Sequence, residues 1–128
     1  MKYLFDNNLS FRFAHMLAAL GEDVAPLRHV FPQDIKDPDL LAALKNGPFD
    51  VFVSSERAMR TRPTEAYLLK SAHVTALFFG PFWSKLTFWQ QAAWLVQRWP
   101  TIAGFASGVT KGTTATVKHN GKSEIFQL

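Results

Sequence analysis

Apolar residues in this chain come in short unbroken runs, each stopped by a polar residue and followed by a stretch where apolar positions recur every three or four residues. The first run, Tyr3 to Phe5, ends at Asp6, and Asn7 and Asn8 supply turn chemistry. From Leu9, the positions Phe13, Met16, Leu17 and Leu20 fall at helical spacing, with Gly21 where a left-handed C-terminal cap belongs. The stretch from Asp23 to Val30 predicts a second strand, and its Pro26 suits a sheet edge better than a centre. Next, Asp37 as N-cap and Pro38 at the first helical position open a short helix carrying Leu40, Leu41 and Leu44, which Gly47-Pro48 stops.

The run Asp50 to Ser54 (DVFVS) has the β-branched and aromatic content of a buried strand. A helix from about Thr64 to Ala72 and an apolar run from Val74 to Phe79 complete a third strand-helix-strand passage. The segment from Leu86 to about Ala103 is helical in pattern, with Trp89, Ala92, Ala93, Val96 and Trp99 on one stripe and Pro100 near its end. That spacing predicts burial of Trp89, Val96 and Trp99, and leaves Trp94 to reach a surface or a subunit contact. Near the C-terminus, Asn120-Gly121 is a two-residue hairpin signal between Val117 and Ile125. Alternation of this kind predicts a three-layer α/β domain with a mostly parallel central sheet, its first strand in the interior and a C-terminal hairpin.

With 128 residues, 48% of them hydrophobic and 19% charged, the chain is a single globular domain rather than a disordered tail or a coiled coil. The formal net charge of +4 mildly favours an anionic partner. Absence of cysteine excludes disulfides, thiolate zinc, iron-sulfur clusters and a cysteine nucleophile. Met1 and Lys2 lead into an apolar stretch too short for a signal-peptide core, and no segment approaches a membrane span, so the expected setting is cytoplasmic. The aromatic content around Phe82, Trp83, Phe88 and Trp94 exceeds what one helix face can hide, which suggests self-association as a homodimer.

In an open α/β sheet the binding crevice lies beyond the carboxyl ends of the strands. Asp6 follows the first strand, Glu56 follows the DVFVS strand, and Asp37 begins the helix that feeds that strand. Three converging carboxylates would suit Mg²⁺ or Mn²⁺, which prefer hard oxygen ligands and water. Each acid also has an ordinary use: Asp37 as a helix cap, Asp6 in the turn, Glu56 as charge at a helix N-terminus. Arg57, Arg60 and Arg62 follow Glu56, and Lys85 precedes the tryptophan-rich helix; these are candidate phosphate contacts or a solvated basic surface. His15, His29, His73 and His119 have no metal-ligand spacing, and the tryptophans suit a core or interface. Ser54 and Ser55 lack a paired base but could orient water.

FDNNLS after the first strand, DPDLLAAL opening the second helix and VFVSSERAM after the next strand resemble the PIN-like nuclease fold in the compact form of VapC-type toxin ribonucleases. The stretch FFGPFWSKLTFWQQAAWLVQRWP is similar to the strand and tryptophan-rich helix of one PIN-like subfamily. The resemblance spans roughly residues 1 to 105, with residues 106–128 as a hairpin extension of one domain. It implies a metal-dependent endoribonuclease that hydrolyses RNA phosphodiesters, the toxin of a toxin-antitoxin pair, with an antitoxin as partner. Asp6 and Asp37 match the family's acids, Glu56 stands where aspartate is usual, and Asp39 is a candidate fourth carboxylate. Asn7 occupies a position where many relatives carry a second acid. The alternative is a catalytically weak PIN-like domain that binds a protein or RNA.

Overall fold

The computed structural model describes residues 1–55 and 71–126, with Asp37 described through its backbone alone. Six strands are present among them: β1 (Tyr3–Phe5), β2 (Val24–Pro26), β3 (Val51–Ser54), β4 (Thr75–Phe79), β5 (Thr114–Val117) and β6 (Ser123–Ile125). The α-helices are α1 (Phe11–Ala19), α2 (Asp37–Asn46) and α3 (Phe88–Gly108), and two 3-10 turns cover Leu27–His29 and Pro81–Lys85. The strands form one sheet in the order β2-β1-β3-β4-β5-β6. Every neighbouring pair is parallel except β5 with β6.

This is a mostly parallel α/β fold, and burial explains the uninterrupted apolar runs. All residues of β1, β3 and β4 are buried, because both faces of the sheet are covered. Alternate residues point to opposite faces. Tyr3, Phe5, Val51, Val53, Leu77 and Phe79 join Phe13 and Leu17 of α1 and Trp94, Trp99 and Ile102 of α3 in one core. Leu4, Phe52, Ala76 and Phe78 join Leu40, Leu41 and Leu44 of α2 in the other.

β1 lies between β2 and β3, and β2 with its Pro26 forms the sheet edge. The second strand is shorter than the sequence predicts, because the chain enters a 3-10 turn at Leu27. The side chain of Ser10 accepts from Arg12 N–H to cap α1, and the helix ends where Gly21 adopts φ +97°. There Gly21 N–H bonds to Ala18 O and Glu22 N–H to Leu17 O, both at 3.0 Å, a Schellman closure. α2 starts one residue earlier than expected: Lys36 is the N-cap and Asp37 the first helical residue.

α3 corrects the predicted stripe. Trp94, Leu95, Trp99, Ile102 and Ala106 are buried, whereas Trp89 is 81% and Val96 43% exposed. The two buried indoles each find an acceptor: Trp94 Nε1 donates to His119 O at 2.7 Å and Trp99 Nε1 to Glu22 Oε1 at 2.6 Å. Trp83 is buried too, packed against Phe13, Phe79 and Trp94, so much of the expected surface aromatic surplus belongs to the core. The helix opens with a Thr87–Gln90 capping box and continues beyond Pro100 to Gly108. Pro100 cannot donate to the Val96 carbonyl, and Val96 is on the solvent side, where water can substitute.

The C-terminal hairpin forms, with Ala115, Thr116 and Val117 opposite Ile125, Glu124 and Ser123. Its loop has three residues rather than two: Lys118 N–H bonds to Lys122 O at 2.9 Å, and Gly121, at φ +84°, donates to Lys118 O at 2.8 Å. β5 is an inner strand bonded to both β4 and β6. Among the described residues no helix is long and apolar enough to cross a membrane. The expected helix from Thr64 to Ala72 falls, but for Ser71 and Ala72, outside the described residues.

Candidate functional site

Because β1 and β3 are parallel neighbours, their carboxyl ends open at the same edge of the sheet. Asp6 is the first residue past β1, and its N–H bonds to Val53 O at 2.9 Å, which pins the turn to β3. The chain then folds back, Asp6 O accepting from Leu9 N–H at 3.0 Å. Within this turn Asn7 N–H donates to Asp6 Oδ1 at 2.7 Å, while the Ser54 hydroxyl donates to Asp6 Oδ2 at 2.9 Å. Asn8 Nδ2 donates to Ser54 Oγ at 3.1 Å, and Asn8 Oδ1 accepts from Ser55 N–H at 3.2 Å.

Both oxygens of Asp6 thus accept a hydrogen bond. Ser54 is fully buried and Asp6 half-buried, so the network stands at the boundary between core and solvent. In front of it lies a cleft of about 400 Å³, lined among others by Asp6, Asn7, Ser10, Phe11, Arg28 and Gln33. The cleft opens where the β1-α1 turn meets the end of β2, the crevice position of an open α/β sheet.

Of the three expected acids, Asp6 has a described side chain; that of Asp37, and Glu56 entirely, lie outside the described residues. Arg57, Arg60 and Arg62 are outside as well. Asp39 is exposed in the first turn of α2. Lys85 is exposed at the end of the 3-10 turn that follows β4, the same edge of the sheet as Asp6. Among the described residues no three His, Asp or Glu side chains come together in a way that could hold a metal.

Ser54 and Asn8 are the positioning residues whose role the sequence pattern missed. A serine that ends a buried strand and an asparagine two past an aspartate are common, and their meeting is set by the register of β1 against β3. The histidines are not all scattered either: His15 Nε2 and His29 Nδ1 approach to 3.4 Å beside the cleft.

The family model of the PIN like domain matches residues 1–80. The chain belongs to the PIN-like domain family. No curated protein and no solved structure matches it. The match runs from β1 through β4 and takes in Asp6, Asp37, Asp39 and Glu56, while α3 with its tryptophans and the terminal hairpin lie beyond it. PIN-like domains carry nuclease-type functions and are generally dependent on a divalent metal. Among the described residues Asp6 is the acid that lines the crevice, and its carboxylate oxygens are the ligand type that Mg²⁺ and Mn²⁺ favour over nitrogen or sulfur.

Proposed function

We propose that this PIN-like protein is a metal-dependent endoribonuclease that hydrolyses RNA phosphodiesters and acts as the toxin of a toxin-antitoxin pair. The observation that carries the reading is Asp6, clamped through both carboxylate oxygens by Asn7 N–H and the Ser54 hydroxyl at the mouth of a cleft beyond the strand ends. A bound Mg²⁺ or Mn²⁺ supplies an acidified water and offsets charge on the phosphoryl oxygens. Asp6 would hold the ion, and Ser54, itself bonded to Asn8, fixes the Asp6 carboxylate for that role. Asp37 and Glu56, with Asp39 as a fourth candidate, complete the ligand set. Arg57, Arg60, Arg62 and Lys85 meet the phosphates, keeping the anionic substrate near an acidic cluster that would otherwise repel it.

A second reading, a catalytically weak PIN-like domain that binds RNA or a protein, is favoured by Glu56 standing where the family usually has aspartate. The extra methylene changes the reach of that carboxylate. Incubating the purified protein with structured and unstructured RNAs in Mn²⁺, Mg²⁺ or EDTA separates the two. Cleavage that requires the ion and vanishes in Asp6→Asn supports the nuclease; a rise in cleavage in Glu56→Asp shows what the longer side chain costs. Ion-independent or absent cleavage by every variant leaves the binding module. The protein is expected to act in the cytoplasm, an antitoxin is expected to suppress cleavage at equimolar ratio, and sedimentation tests the homodimer.

A further inference from the structure

Beside the Asp6 cleft the surface carries an aromatic cluster topped by cations. Phe11 and His15, one helical turn apart on α1, meet edge to face with ring centroids 5.4 Å apart. His29, from the 3-10 turn after β2, lies 5.0 Å from His15 and 6.3 Å from Phe11. The Arg28 guanidinium sits over the Phe11 ring at 4.6 Å, and that of Arg12 approaches the same ring at 5.8 Å. Phe11 is half-buried, whereas Arg12, His15, Arg28 and His29 are exposed. Among the described residues neither arginine pairs with a carboxylate; the ion pairs there join Asp50 with Lys111 and Lys118 with Glu124. Phe11 and Arg28 also line the same cleft as Asp6.

We propose that Arg28 and Phe11, flanked by His15 and His29, form a base-stacking platform that seats an unpaired nucleotide of single-stranded RNA beside Asp6. The inference rests on the ribonuclease reading for its orientation toward Asp6, and deepens it by naming the residues that seat the strand. A guanidinium laid on an aromatic ring keeps an outer planar face for a base and N–H groups for the neighbouring phosphate. Bases in a duplex are already stacked on each other and hidden in the A-form grooves, so a platform of this kind selects unpaired strands. The cleft volume of about 400 Å³ falls within the roughly 300–1,000 Å³ of sites that take small ligands.

Binding and cutting can be read separately. A labelled unstructured RNA decamer and the corresponding duplex are titrated by anisotropy in EDTA, and the single strand is then cleaved in Mn²⁺. Phe11→Leu and Arg28→Ala are expected to raise the single-strand Kd roughly ten- to a hundredfold with unchanged melting temperature, and the duplex Kd much less. Arg28→Lys keeps the charge and loses the plane, so it should behave like Arg28→Ala. Single-strand binding retained by Arg28→Lys and Phe11→Leu, or equal losses for strand and duplex, overturns the platform. If those variants bind and cut like wild type while Asp6→Asn does not cut, the platform falls and the nuclease stands. If they lose single-strand binding while wild type never cuts, the platform stands and the nuclease falls.

Discussion

Asp6 and Asp50 each stand one residue outside a central strand, but at opposite ends of the sheet, and each accepts a backbone N–H at short range. Asp50 precedes β3 and takes Lys2 N–H at 2.8 Å, with the Lys111 ammonium 3.6 Å away. The Lys2 N–H first, then the charge of Lys111, hold its carboxyl below the usual range against a desolvation that pushes the other way. It ties the residue before β1 to the loop before β5, and its carbonyl accepts from Thr75 N–H of β4 at 3.0 Å. Asp6, past the carboxyl end of β1, is bound to a turn amide and a hydroxyl and faces a cleft. At the amino ends a carboxylate is a clip among strands. At the carboxyl ends, where the chain departs into helices and leaves a crevice, the same side chain fixes a turn at the mouth of a cleft.

Replacing the two in turn is the strongest way to break the contrast. Asp6→Asn is expected to lower Mn²⁺-dependent RNA cleavage by about a hundredfold or more while the melting temperature in EDTA stays level or rises. A large drop in melting temperature instead would make Asp6 a second clip. Ser54→Ala should reduce cleavage by about tenfold through misplacement of Asp6, and cost about 1 kcal/mol because Asn8 Nδ2 loses its acceptor and Asp6 Oδ2 its donor; rescue by Ser54→Thr in the cleavage assay would mark the hydroxyl as the cause. Asp50→Ala should leave cleavage per folded molecule unchanged and cost about 1–2 kcal/mol in urea denaturation, a hydrogen bond to a charged group discounted for partial exposure.

Acid sharpens the same comparison. The carboxyl of Asp50 has a lower pKa folded than unfolded, so its stabilisation is full above the unfolded value of about 4 and is lost as pH falls through the folded value. The stability gap between wild type and Asp50→Asn should therefore be largest near neutrality and close below pH 4; a gap that persists at pH 2 would assign it to packing. Lys111→Met is the smallest effect, a few tenths of a kcal/mol, since that ion pair is long and its lysine 62% exposed.

The fold was legible where a local pattern had one physical solution. Unbroken runs at β1, β3 and β4 required burial on both faces, Pro26 required an edge, and Gly21 and Gly121 occupy the positive-φ positions that close a helix and a hairpin. It was illegible in α3, whose apolar residues surround much of the helix, so that spacing could not choose between Trp89 and Trp94. Trp94 is the one that meets an acceptor remote in sequence, His119 O. The candidate site divides the same way. Asp6 could be found from its place after a strand, whereas its hold by Ser54 crosses 48 residues and depends on strand register. Likewise, nothing local links Phe11 to Arg28, which meet because β2 returns alongside β1.

The strand order carries a consequence for the order in which the chain assembles. β2 adds to one side of β1 and β3 to the other; thereafter β4, β5 and β6 each attach to the free side of the strand laid down before, so the sheet lengthens in one direction as translation proceeds. At each stage one row of backbone donors and acceptors waits for a partner not yet made, and chains paused between β3 and β5 present a long apolar edge to one another. The last strand ends that exposure. β6 is three residues long, antiparallel, and carries Glu124 paired with Lys118, a short charged rim on which a further strand gains little.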